Sequence, residues 1–166
     1  MAFRPVITTL ALFLAADLLM LSLFPELRLL VDPLLLLLVL LASSSRSLRS
    51  IWLIGLGLGL WKDLYAGTLF GAWACTFTAV AWTIGATRRM VEWEDSAVVG
   101  VWTAILTLAC WVFYGFWLTL ADPFVHWGNG QWVLVPFAMM AQGLLAAWIF
   151  PRLRRGISKT DPVYRF

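Results

Sequence analysis

Long apolar runs separated by short charged clusters dominate this sequence and restrict what it can fold into. The stretch from Ala97 to Leu120 contains no charged residue, and it is longer than the about 20 residues that a helix needs to cross a bilayer. Of the 166 residues, 62% are hydrophobic and 13% are charged, whereas soluble domains average about 45–50% and about 25%. The surplus of apolar residues predicts an integral membrane protein without a separate soluble domain.

We expect an all-α fold of about six transmembrane helices, some short or broken, because the chain has room for about that many spans. They form one polytopic membrane domain over residues 1–151, followed by a basic cytoplasmic tail over residues 152–166. The apolar runs place the spans at about 5–24, 29–45, 51–65, 69–86, 97–120 and 132–150.

The second and third spans are the irregular ones. Even counted from Leu29, the second apolar block reaches only about 20 Å as a helix, short of the roughly 30 Å hydrocarbon core. Pro33 suits the first turn of that helix. The stretch from Ile51 to Ala86 is too long for one helix, and Gly67 and Thr68 supply its turn signal.

The positive charges indicate the orientation. With both termini and the loops at 43–50 and 87–96 on one side, ten of the 12 Lys and Arg residues lie there. Only Arg28 and Lys62 fall on the other side. The positive-inside rule therefore predicts a multi-pass protein with both termini in the cytoplasm.

Gly59, Asp63, Gly67 and Gly71 recur at steps of four and form the most informative motif. On a helix, glycines at this spacing let a second backbone approach closely, and Asp63 can accept hydrogen bonds from that backbone. Asp63 is then a structural latch. The alternative is an ion or proton site, since ionisable groups inside a membrane are candidate functional groups.

This Gly-x-x-x-Asp-x-x-x-Gly-x-x-x-Gly spacing resembles the signature of the rod shape-determining protein MreD family. The chain is also similar to that family in length, in the proline-opened apolar block at Pro33, and in the final span with its basic end. It departs from the family in its 11 tryptophans and in Lys62 before the aspartate.

The resemblance implies a non-catalytic scaffold subunit in the bacterial inner membrane that serves rod shape and lateral peptidoglycan synthesis. MreC is the direct partner that it implies, with MreB, RodA and a class B penicillin-binding protein in the wider complex. It also implies a fold similar to the substrate-binding subunits of energy-coupling-factor vitamin transporters. Vitamin binding is therefore the alternative function, although no convergent polar set for a vitamin is evident in the sequence.

Other polar residues have a structural and a functional interpretation each. Asp17 lies deep in the first span, where it is either bonded to a Ser, Thr or Trp donor or coupled to protons. Two groups of cytoplasmic cations are expected either to meet solvent and anionic lipid or to dock a cytoplasmic partner; they are Arg88, Arg89, Arg152, Arg154 and Arg155.

The sequence carries no enzyme signature. Cys75 and Cys110 have no nearby base, the single histidine, His126, makes no metal site, and the glycine run before Gly59 lies inside a span rather than after a strand. We therefore expect no catalysis, cofactor, metal or nucleic-acid partner.

Overall fold

The structure, a computed structural model, describes residues 3–23, 30–44, 48–66, 70–87, 90–91, 93, 95–121 and 129–158. These described residues form six α-helices and contain no strand, which confirms the all-α expectation. In chain order the helices are α1 (Phe3–Leu23), α2 (Pro33–Ser44), α3 (Leu48–Ala66), α4 (Ala72–Thr87), α5 (Ser96–Ala121) and α6 (Asn129–Ser158).

The helices lie close to the apolar runs, but several of their ends differ from the expected span bounds. α2 begins at Pro33 rather than Leu29, α4 at Ala72 rather than Leu69, and α6 at Asn129 rather than Trp132. α3 begins at Leu48 rather than at Ile51. α6 passes through Pro151 and continues to Ser158, beyond the expected end of the last span at about residue 150. A proline removes only the hydrogen bond to the carbonyl four residues earlier, so a helix can continue past it with a bend. Residues 159–166 of the expected tail lie outside the described residues.

α2 is the central helix of the bundle. It has only 12 residues, fewer than the expected span of 29–45, and Pro33 lies in its first turn, as the sequence predicts. Its side chains from Leu34 to Leu40 are buried on every face, and it contacts all five other helices. A helix that is apolar all round belongs in a protein core or in lipid, and here the other helices surround it.

The other close pairs are two antiparallel hairpins, α3 with α4 and α5 with α6. In the second hairpin Gly100 and Gly143 face each other. A Cβ built on Gly100 would lie 2.9 Å from the carbonyl oxygen of Gly143, and a Cβ on Gly143 would lie 2.8 Å from that of Gly100. The two backbones therefore meet at a distance that only glycine allows, as in small-residue interfaces of membrane helices.

The outer surface of the bundle is rich in large apolar side chains. Two segments, Ser96–Leu120 of α5 and Val133–Leu153 of α6, are long and apolar enough to cross a membrane. α1 and α2 carry shorter apolar segments, Ile7–Leu23 and Pro33–Ser43. Exposed residues on the four longest helices include Leu12, Leu19, Leu53, Leu64, Val101, Phe116, Phe137 and Leu144.

Candidate functional site

Polar side chains collect in the interior, where the ends of α1, α2 and α3 approach α4 and α6. We call this group the interior polar cluster. Its members come from distant parts of the chain and bond in three separate sets: Asp17 with Tyr65, Asp32 with Lys62 and Gln142, and Asp63 with the backbone of α4.

Asp63, near the end of α3, caps the first turn of α4. One of its oxygens, Oδ2, accepts hydrogen bonds from the backbone N–H groups of Gly71 and Ala74, and Oδ1 accepts one from Trp73, each at 3.0 Å. The first N–H groups of a helix have no partner within the helix, and a carboxylate suits them in both hydrogen bonding and charge. Both oxygens of Asp63 are thus used to hold the neighbouring helix.

The glycines of the motif allow this contact. A Cβ on Gly59 would lie 2.4 Å from the Cα of Ala74 and 2.6 Å from the carbonyl oxygen of Trp73, so α3 and α4 touch backbone to backbone there. Gly71 precedes α4 with φ +95, a conformation that side-chain-bearing residues rarely adopt. Gly67 lies outside the described residues. The described members of the motif together hold the start of α4 against α3.

Asp32 is the corresponding cap of α2. Its Oδ1 accepts hydrogen bonds from the backbone N–H groups of Leu34 (3.1 Å) and Leu35 (3.3 Å). Its own backbone is bound by the fully buried amide of Gln142 on α6: the N–H of Asp32 donates to Oε1 (2.9 Å), and Nε2 donates to the Asp32 carbonyl (2.7 Å). This pairing fixes the start of the central helix to α6.

Lys62 lies between these groups, inside the bundle. The residue belongs to α3 and is 5% exposed, and its ammonium forms an ion pair with Oδ2 of Asp32. Nζ is also 3.6 Å from the ring centroid of Trp73 and 5.1 Å from that of Phe77. A buried carboxylate and two aromatic rings therefore hold the cation inside the bundle.

Asp17 joins α1 to α3. Its carboxylate is fully buried and accepts a hydrogen bond from the Tyr65 hydroxyl through Oδ2. Because its side chain is fully buried, Asp17 faces the interior of the bundle. The donor observed here is a tyrosine, whereas Ser, Thr or Trp is expected from the sequence.

The expected cytoplasmic cations are only partly described. Arg152 is exposed, lies 4.1 Å from the ring centroid of Trp148 and donates to that residue's carbonyl. Arg88 and Arg89 lie outside the described residues, as does His126. Arg154 and Arg155 continue α6, and the positions of their side chains are not described.

Candidate ligands and nucleophiles are sparse in the described part of the chain. No group of three His, Cys, Asp or Glu residues there could hold a metal ion. Cys75 is exposed on α4, and Cys110 is buried in α5 within electrostatic range of Asp32 and Lys62.

Comparison of the chain with known proteins finds no significant match. No protein-family model matches the chain, and no curated protein or solved structure matches it significantly. The resemblance to the MreD family therefore rests on the motif and the layout of the sequence.

Sequence reasoning did not identify four members of the cluster, Asp32, Lys62, Tyr65 and Gln142, and local signals for two of them were present. Asp32 directly precedes Pro33, which is the N-cap and N1 pattern of a helix start. Gln142 is an isolated amide in an apolar run, so it needed a buried partner. Nothing in the local sequence indicates that Lys62 pairs with Asp32, thirty residues earlier.

Proposed function

We propose that this protein is a non-catalytic scaffold subunit of the bacterial cell-elongation complex, which builds lateral peptidoglycan and maintains rod shape. The observation that supports this proposal is that the motif residues hold two helices together. Asp63 gives both carboxylate oxygens to the backbone of α4, and Gly59 lies against that helix without a side chain between. Residues used this way organise a fold, which agrees with the structural role implied by the resemblance to the MreD family.

The proposed location is the bacterial inner membrane, with six spans and both termini in the cytoplasm. The apolar outer faces of the helices support a lipid environment. The lopsided distribution of Lys and Arg supports the orientation. The basic residues from Arg152 onward would then lie near the anionic cytoplasmic leaflet.

The proposed direct partner is MreC, held by outer helix faces and periplasmic loops. MreB, RodA and a class B penicillin-binding protein belong to the same complex in this proposal. Apolar faces without a partner in the described structure support contacts with a transmembrane helix as well as with lipid.

Co-purification tests this function directly. The tagged protein is extracted from its native membrane in a mild detergent, and bound proteins and small molecules are identified by mass spectrometry. Recovery of MreC with wall-synthesis enzymes supports the scaffold. Recovery of ATPase subunits or a bound vitamin would contradict the scaffold proposal and favour the alternative function, a substrate-binding subunit of a vitamin transporter.

A matched pair of variants separates assembly from folding. Asp63→Asn keeps the volume and one acceptor oxygen for the backbone of α4, whereas Asp63→Ala keeps neither. We expect Asp63→Ala to lower both the amount of subunit in the membrane and the recovered MreC, and Asp63→Asn to lower them less. Normal accumulation, MreC binding and rod shape in the alanine variant would contradict the structural role proposed for Asp63.

A further inference from the structure

The surroundings of Lys62 have the chemistry of a site that recognises an ammonium ion. A carboxylate oxygen of Asp32 neutralises the charge of Lys62, and Nζ lies 3.6 Å from the ring centroid of Trp73 and 5.1 Å from that of Phe77. Proteins that bind amine ligands use the same two components, an acid and aromatic rings. Here the cation that occupies them belongs to the chain itself.

The walls of this site are held independently of Lys62. Asp32 is fixed by its hydrogen bonds to the start of α2 and to Gln142. Trp73 stacks on Tyr114 of α5, with ring centroids 4.1 Å apart and planes at 18°, and it meets Phe77 edge to face at 5.8 Å. The acid and the rings therefore have supports that remain when the lysine is removed.

We propose that Asp32, Trp73 and Phe77 form a binding site for a primary alkylammonium group, with Lys62 as its permanent occupant. In the intact protein the tethered lysine excludes free amines. Removing the side chain opens a site that selects a small linear alkylammonium over a neutral molecule of the same size.

The test uses Lys62→Ala and n-propylammonium, which has the same heavy atoms as the missing side chain from Cγ to Nζ. The neutral amine in equilibrium with the cation can cross an apolar wall. The purified variant is heated in detergent with increasing n-propylammonium chloride, with sodium chloride at equal ionic strength as the salt control. We expect Tm to rise with the logarithm of ligand concentration, as for any ligand bound by the folded state.

Two controls define the chemistry. The first is 1-propanol, which has nearly the same shape without the charge, and it should produce little or none of the increase. The second is Lys62→Ala combined with Asp32→Asn, because asparagine still caps α2 but carries no charge; this variant should lose the response. Equal stabilisation by 1-propanol, or no response to n-propylammonium, would overturn the proposal.

A second measurement covers the case in which Lys62→Ala does not fold. In the intact protein, NMR of the Lys62 side-chain NH3+ group should show an upfield shift of its protons from the Trp73 ring current and slow exchange with water. Trp73→Leu should move that signal downfield. A signal at the position of free lysine in the intact protein would show that the site does not hold the ammonium.

Discussion

Gly59→Ala tests whether backbone contact between α3 and α4 sets the stability of the bundle. The added methyl carbon would lie 2.4 Å from the Cα of Ala74, 2.6 Å from the carbonyl oxygen of Trp73 and 2.8 Å from the nitrogen of Ala74. All three are backbone atoms, so no side-chain rotation relieves the clash. Carbon atoms pack best at about 3.5–4.0 Å, so the helices would have to separate by about 1 Å.

The expected loss of unfolding free energy is about 3 kcal/mol. Forcing an extra methyl into a close-packed contact costs about 1–3 kcal/mol, occasionally more. Asp63 lies one turn further along the same helix, so separation also stretches its three 3.0 Å hydrogen bonds, and loss of such a cap costs about 0.5–2 kcal/mol. The better helix propensity of alanine returns about 0.5–1 kcal/mol.

Gly57→Ala is the matched control, because Gly57 is on the same helix but exposed, and a Cβ there would meet nothing within 4 Å. Alanine at position 57 should leave the protein's unfolding free energy unchanged or raise it by up to about 1 kcal/mol. Both variants are purified in one detergent and unfolded by heat or by added SDS, with tryptophan fluorescence as the signal. Equal stabilities of the two variants would show that the close contact does not determine packing.

Further variants test the other contacts. Asp63→Ala should lose at least about 2 kcal/mol, because three backbone donors lose their acceptor, when measured by the same unfolding assay. Tyr65→Phe should lose about 1–3 kcal/mol and increase proteolysis in α1, since the buried Asp17 carboxylate loses a donor; unchanged cleavage would contradict that link. Gly143→Val should weaken the α5–α6 hairpin by about 1–3 kcal/mol. In folded protein, a maleimide should label Cys75 and leave Cys110 unlabelled until denaturation, as followed by mass spectrometry.

The parts of the fold that the sequence predicts are those set by nearby residues. Asp63 and the backbone that it caps are separated by only eight to eleven positions. Four-residue spacing places Gly59 and Asp63 on one face of a helix, and the adjoining turn returns the chain to that face. A local sequence pattern therefore predicts the contact between Asp63 and α4. Proline at position 33 similarly marks the start of α2.

The remaining contacts depend on where distant segments meet. Gln142 binds Asp32 across 110 positions, and Tyr65 reaches Asp17 across 48. The order of helices around α2 decides these pairs, and hydropathy does not encode that order. The partner of Lys62 also depends on such a distant contact. In the sequence Lys62 stands beside Asp63, whereas the structure pairs it with Asp32.

The interior and the outer surface of the described bundle differ in a way that bears on function. The carboxylates of Asp17, Asp32 and Asp63 are each bonded within the protein, and the charge of Lys62 is neutralised there. Buried Thr76, Thr103 and Thr107 likewise donate to carbonyls of their own helices. These groups must lose their bonds before they can bind a substrate, and each buried group left unsatisfied costs about 1–3 kcal/mol. Recognition at the apolar outer surface requires no such loss, which is the physical reason to prefer a scaffold to a transporter.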